Sequence, residues 1–343
     1  MTRRRVVLLR AGALAVASAL AAGALVAGTA PSAVAARHAA ARWQVVVEPA
    51  AGYGFLDHAV AVATRSVRVE MYELADPAFE AALIAAVHRH VRVQVLLDED
   101  FHAGTVNQPA FAMLRRHHVA VRWADPGVIF HEKAVVIDGA VAYVGSGNLT
   151  AEYYATTRDF WVRDTQRADV DAVAAVFGTD WGGGAPASGP PGVDLVWSPN
   201  AEPAFLSLIR HAHRSISLES EELSDTYVID ALVAAARRHV AVHVTMTYSS
   251  EWRSAFDQLL AAGAQVHLDH GEHPIYVHAK ALCVDCTTGP HATGTLVVGS
   301  QNLSYGSLAF NRELSIRTSD RAVLAPIAAV LRADFAAAAP YAG

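Results

Sequence analysis

The chain has 343 residues, 53% of them hydrophobic and 17% charged, with a formal net charge of −6. That length fits one large domain or two of about 150 residues, and the composition argues against disorder away from the ends. The acidic balance disfavours a protein that lives on nucleic-acid phosphate, although a local basic groove is compatible with it.

In chain order, "MTRRRVVLLR" is a basic segment, "AGALAVASALAAGALVAGTA" is apolar, and Ala33-Val34-Ala35 is a small-x-small site. Residues 1–35 are expected to be a secretory signal peptide cut before Ala36. The competing reading is an uncleaved anchor, because 20 apolar residues can span a bilayer. Thr2-Arg3-Arg4-Arg5 is a weak sign of twin-arginine export. Cleavage removes Arg3, Arg4, Arg5 and Arg10 and leaves a net charge of −10. A secreted, extracellular protein is expected.

The remainder is a duplication. "VRVEMYELADPAFEAALIAAVHRHVRVQVLLDED" from Val67 matches "ISLESEELSDTYVIDALVAAARRHVAVHVTMTYSS" from Ile216, at a lag of 149 residues. Glu73 aligns with Glu222, Asp76 with Asp225, and His90-Val91 with His239-Val240. In the first copy "VRVEMY" reads as a strand, "PAFEAALIAAVHRH" as a helix, "VRVQVLLD" as a strand and "QPAFAMLRRHH" as a helix. "VAVRWA", "FHEKAVVID" and "VAYVGS" follow as strands, and "ADVDAVAAVFGTDW" closes the copy as a helix. "GGGAPASGPPG", residues 182–192, separates the copies. The second opens with "VDLVWSP" and ends with the helix "RAVLAPIAAVLRADF". Repeat 1 is placed at 36–185 and repeat 2 at 186–343. The fold class is α/β, each repeat a mixed, mostly parallel sheet flanked by helices, the two packed about a pseudo-two-fold axis.

Each copy carries the same polar set. His131, Lys133 and Asp138 precede Gly145, Ser146 and Asn148; His278, Lys280 and Asp285 precede Gly299, Ser300 and Asn302. In a strand, residues i and i+2 share a face, so each histidine lies beside its lysine. An imidazole, an ammonium, a hydroxyl and an amide suit a phosphodiester, whose charge grows on the non-bridging oxygens during substitution. Two copies explain the repetition: one imidazole attacks phosphorus while the other protonates the leaving alcohol and then activates the incoming one. Ordinary strand residues would explain a lone His-x-Lys, but not the duplicated set.

These residues resemble the phospholipase D superfamily, whose members carry two His-x-Lys-x4-Asp motifs, and the resemblance covers nearly all of the chain after the leader. It implies phosphodiester exchange through a phosphohistidine, with no cofactor or metal. His131 is then the expected nucleophile and His278 the acid and base. Lys133 and Lys280 would hold the phosphate, and Asn148 and Asn302 would donate to its oxygens. Asp138 and Asp285 are expected to order turns. The family's Asn-x-Glu element appears as Asn311-Arg312-Glu313 but as Thr157-Arg158-Asp159 in the first copy. Asp159 and Glu313 are therefore expected to orient the histidines, with pairing to Arg158 or Arg312 as the alternative.

Cys283-x-x-Cys286 is open between a disulfide and two plain thiols, and a zinc site would need two further ligands, with only His291 nearby. The expected substrate is a phospholipid at a membrane or vesicle surface, hydrolysed to phosphatidic acid and a head-group alcohol. A nuclease or general phosphodiesterase is the alternative, and an inactive binding module the minor one. A monomer suffices, because one chain holds both motifs. Phe130, Tyr153, Tyr154, Trp161, Tyr276 and Tyr305 are candidate entrance residues. The segments 98–107 and 268–274 read as loops, either solvated or rimming the site.

Overall fold

The computed structural model describes residues 41–99, 101–269 and 275–343. The signal-peptide expectation lies outside them, as does most of the segment 268–274. Residues 41–343 form one compact unit.

The first half runs β1 (Gln44–Glu48), α1 (Gly54–Ala61), β2 (Ser66–Met71), β3 (Leu74–Ala75), α2 (Pro77–His88), β4 (Arg92–Leu97) and α3 (Phe101–Arg116). It continues with β5 (Ala120–Trp123), β6 (Lys133–Ile137), β7 (Val141–Gly145), β8 (Leu149–Thr150), β9 (Thr157–Asp164) and α4 (Arg167–Trp181). The second half runs β10 (Leu195–Ser198), α5 (Glu202–Arg210), β11 (Ser215–Glu219), α6 (Thr226–Arg237), β12 (Ala241–Thr247), α7 (Arg253–Ala261) and β13 (Gln265–Asp269). It closes with β14 (Tyr276–Val277), β15 (Ala281–Val284), β16 (Thr295–Gly299), α8 (Tyr305–Ala309), β17 (Glu313–Thr318), α9 (Arg321–Ala337) and β18 (Ala339–Pro340).

The repeated residues act as local signals. Asp76 caps α2 through the amides of Ala78 and Phe79, with Pro77 at the first turn, and Asp225 caps α6 through Tyr227 and Val228. Past the helix ends, His90 and His239 take left-handed φ values of 64° and 65°. The amides of Val91 and Val240 then close back onto Ala86 and Ala235. The repeated His-Val pair is thus a helix stop.

The two eight-stranded sheets share one topology, β1-β9-β7-β6-β2-β4-β5 and β10-β17-β16-β15-β11-β12-β13, with β14 and β18 as additions. Both are mixed sheets. β2, β4 and β5 pair in parallel, as do β11, β12 and β13. The strands carrying the motifs pair antiparallel.

The halves meet through those antiparallel strands. Val136, Val144, Phe160 and Val162 share one apolar cluster with Ala281, Leu296, Val298 and Ile316. Each half also reaches into the other: Tyr276 and Val277 pair in parallel with Thr157 and Arg158, and Phe130 bridges Arg312 in the same sense. Two ion pairs cross nearby, Arg158 to Asp334 at 2.6 Å and Arg312 to Asp180 at 2.8 Å. Arg312 and Asp180 are both buried, where removing one partner strands the other's charge. The arginines flanking Asp159 and Glu313 are therefore spent elsewhere, and the two acids are left to other partners.

Two expectations change, and one left open is settled. Residues 101–107, read as a loop, are the first turns of α3, and Asn107 is buried there. Its amide ties Leu74 to the carbonyls of Tyr72 and Asp98, pinning the end of β2. Phe130 and Trp161 are core residues rather than entrance residues. Cys283 and Cys286 form a disulfide.

Candidate active site

Both histidines sit just ahead of their strands, and both face one cavity of about 550 Å³. Behind each lies its lysine, almost wholly buried. Lys133 Nζ donates to the carbonyl of His131 at 2.7 Å. Lys280 Nζ donates to the carbonyl of His278, and to Glu221 Oε2 at 2.9 Å. Glu132, between His131 and Lys133, turns away toward Glu70 and Arg312, where burial pushes its carboxyl up to about 8.

The imidazoles are oriented crosswise. His131 Nδ1 faces Glu313 Oε2 at 2.9 Å, and His278 Nδ1 faces Asp159 Oδ1 at 2.8 Å. Each carboxylate comes from the other half. A carboxylate accepting from Nδ1 leaves Nε2 as the nitrogen directed at a reacting group. The shorter acid of the first half reaches its imidazole as closely as the glutamate does.

Ser146 and Ser300 support these acids. Ser146 Oγ donates to Asp159 Oδ1 at 2.6 Å and accepts from the Phe160 amide. Ser300 accepts from the Leu314 amide and bears on Glu313, which Ser307 and Asn311 also hold. Both serines are fully buried: the Ser146 hydroxyl donates to Asp159, and the Ser300 hydroxyl donates to the Leu314 carbonyl beside Glu313. The glycines before them admit no side chain, since a Cβ at Gly145 would strike the Trp161 ring and one at Gly299 the Leu314 carbonyl.

The aspartates of the motifs lie away from the cavity. Asp138 and Asp285 have φ values of 55° and 54°. Asp138 accepts from the amides of Thr64, Arg65 and Ser66; Asp285 accepts from those of His213, Arg214 and Ser215. Each ties the end of one strand to the start of its neighbour. Asn148 and Asn302 do line the cavity. Asn148 Nδ2, expected to meet a phosphate, donates to Glu73 at 3.0 Å.

Tyr153, Tyr154 and Tyr276 line the cavity as well, while Tyr305 is exposed and outside its lining. Sequence reasoning missed Tyr72, Glu73, Glu221 and Glu222, which stand at the ends of β2 and β11 and complete the wall. Glu73 and Glu222 had served only as landmarks of the repeat. Their position past the carboxyl ends of parallel strands, where α/β sheets gather ligands, was the available signal.

Burial governs the electrostatics. It lowers His131 well below the usual imidazole range, aided by Lys133 and Lys280. It lowers Lys133 to about 7, again with Lys280 nearby, and raises Glu313 to about 7 against the pull of Lys133. Burial would also raise Glu221, but His278 and Lys280 outweigh it and hold that carboxyl well below its ordinary value. The first half thus favours a neutral imidazole with a free Nε2 lone pair, and the second holds a fixed anion among cations.

A family model described as cardiolipin synthase, phospholipase D-like domain matches residues 56–181 and 205–337. The major cardiolipin synthase of Bacillus subtilis is 28% identical over 280 residues, covering 68% of this chain and 57% of that protein. A cardiolipin synthase of Staphylococcus aureus is also 28% identical, with 44% of its length covered. The chain thus spans about half the length of the curated relatives it matches. Among solved structures, phosphatidylserine synthase from Haemophilus influenzae superposes with a TM-score of 0.63 at 10% identity, over 85% of this chain and 86% of that one. Polyphosphate kinase from Porphyromonas gingivalis gives 0.63 at 17% identity, over 85% and 50%. Those likenesses are of fold. With both motifs inside the matched segments, the chain belongs to the phospholipase D-like domain family of the cardiolipin synthases.

Proposed function

We propose that the protein cleaves the head-group phosphodiester of a phospholipid through a phosphohistidine and passes the phosphatidyl group to water or to a second alcohol. The observation that carries this reading is the pair of imidazoles in one cavity, each fixed at Nδ1 by a carboxylate of the opposite half. In the first step the Nε2 lone pair of His131 forms an N–P bond as the P–O bond to the head group breaks. His278 Nε2 gives its proton to the departing oxygen and becomes neutral. In the second step His278 takes a proton from the incoming hydroxyl, whose oxygen attacks phosphorus as the N–P bond breaks. Both histidines return to their starting states. Lys133 and Lys280 offset the charge on the non-bridging oxygens.

A lipid substrate is supported by the net charge of −6 and by relatives named for cardiolipin synthesis. Those names also favour an alcohol as acceptor beside water. Secretion is part of the proposal and rests on the leader alone.

The test is head-group release from phosphatidylcholine and phosphatidylglycerol vesicles in excess EDTA, by the chain from Ala36 onward. Release that His131→Ala and His278→Ala each lower by at least about 10³-fold supports the reading. Folded protein that cleaves neither lipid but cuts a DNA or RNA oligonucleotide transfers the assignment to a nuclease.

A further inference from the structure

The two halves differ at one position of the cavity wall. Residue 72 follows β2 and residue 221 follows β11 at the repeat's own lag, and they are tyrosine and glutamate. Tyr72 lays its ring against the first motif: its centroid is 4.7 Å from that of His131 and 4.9 Å from Lys133 Nζ. Glu221 sets a carboxylate against the second. Its Oε2 lies 2.9 Å from Lys280 Nζ and 3.4 Å from His278 Nε2, and its Oε1 accepts from Tyr276 at 3.0 Å.

We infer that Glu221 is a positioning residue that commits His278 to the role of proton donor, and that Tyr72 leaves His131 as the nucleophile. The inference rests on the phosphodiester reading above and assigns a residue that the shared motif does not contain. His278 stands between two carboxylates, Asp159 at Nδ1 and Glu221 at Nε2. Both ring nitrogens face acceptors, and both can donate only when both carry hydrogen. Lys280 and Tyr276 hold Glu221 in place, so its position does not depend on His278. The proton it retains on Nε2 is the one that the departing head-group oxygen takes. Among the described residues, the carboxylate against His131 is Glu313 at Nδ1, and the Tyr72 ring stands at the position that Glu221 takes in the other half. A neutral imidazole with a free Nε2 pair is the form that attacks phosphorus. Burial, Lys133 and Lys280 pull His131 toward that form and outweigh the opposing charge of Glu221, whose carboxylate lies against Lys280 and His278.

Leaving-group dependence tests the inference. A proton donor matters for an alkoxide leaving group and little for p-nitrophenolate. Phosphatidylcholine, phosphatidylglycerol and phosphatidyl-p-nitrophenol would be compared in the same vesicles. Glu221→Gln should lower the first-turnover rate of head-group release, which reports the first step alone, by about 10²-fold on both alkyl head groups and by less than about threefold on the p-nitrophenyl ester. Glu221→Tyr, which copies the first half, should act the same way. Equal loss on all three lipids would make Glu221 structural, and faster turnover would make it an obstruction to phosphate; either result overturns the inference. A second arm needs no turnover and survives failure of the lipid reading. With 15N-labelled histidine at neutral pH, His278 should show both nitrogens protonated in the wild type and one in Glu221→Gln. A single protonated nitrogen in both proteins would overturn the inference.

Discussion

The first half covers its lysine with the Tyr72 ring, and the second ties its lysine to the Glu221 carboxylate. Almost everything around that position is duplicated: strand order, the helix-capping aspartates, the left-handed histidines, the turn-ordering aspartates and the serines behind the acids. Backbone economy explains what is kept, since each repeated residue satisfies amides or carbonyls that any copy of the fold must satisfy. The cavity wall is under no such constraint. The duplication could therefore diverge there and give two chemically similar imidazoles two different tasks.

The crosswise carboxylates offer the largest effect by which to break this comparison. If each half were self-sufficient, Asp159→Asn would damage His131. The geometry predicts that Asp159→Asn behaves like a weakened His278, slowing alkyl head groups about 10²-fold and sparing a p-nitrophenyl ester. Glu313→Gln should slow every substrate by a comparable factor, because it disorients the nucleophile. The first-turnover burst of head-group release on the two ester types is the measurement, because the second step calls on His278 whatever the leaving group. An interchange of the two patterns would reverse the division of labour.

A smaller effect sharpens the comparison of the lysines. Lys133 is charged below its lowered value of about 7 and neutral above it. Its help to an anion is present in acid and lost as pH rises through about 7. KM, or the Kd for inorganic phosphate, should therefore increase from pH 6 to 8, and Lys133→Met should flatten that increase. An equal increase in the variant would move the titration to another group.

The smallest difference is one of stability. Burial by itself would raise Asp138, but the amides of Ser66, Thr64 and Arg65 and the Thr64 hydroxyl together outweigh it and hold the carboxyl at about 2. A carboxyl lowered in the folded state contributes stability above its unfolded value of about 4, and that contribution is lost as pH falls toward about 2. Asp138→Ala should cost about 1–3 kcal/mol at neutral pH by urea unfolding, less near pH 3, and leave the ratio of rates on the two ester types unchanged. Asp285→Ala should match it, because its amide partners are the same in kind. Unequal losses would break the symmetry at its best-preserved point.

Much of this was legible in the sequence because it is local or repeated. The alternation of strand and helix, the two motifs and the lag of 149 residues needed no tertiary knowledge. The partners of the acids were not legible. Asp159 meets His278 across 119 residues and Glu313 meets His131 across 182, and no nearby pattern marks either encounter. The hydroxyls of Ser146 and Ser300 looked like substrate donors because burial is invisible in a turn motif. The segment 101–107 resembled a loop because its polar residues mask a helix whose Asn107 is turned inward. Glu221 was hidden for the opposite reason: it aligns with a tyrosine, so the repeat does not mark it.

In the proposed reaction one histidine carries the phosphorus and the other carries the proton. The most direct measurement is rapid quench of the enzyme with phosphatidyl-p-nitrophenol, followed by digestion and mass-spectrometric location of the phosphatidyl group in wild type and in Asp159→Asn. The phosphatidyl group is expected on His131 in both proteins and absent from His278. Modification of His278, or of both histidines equally, would contradict that assignment.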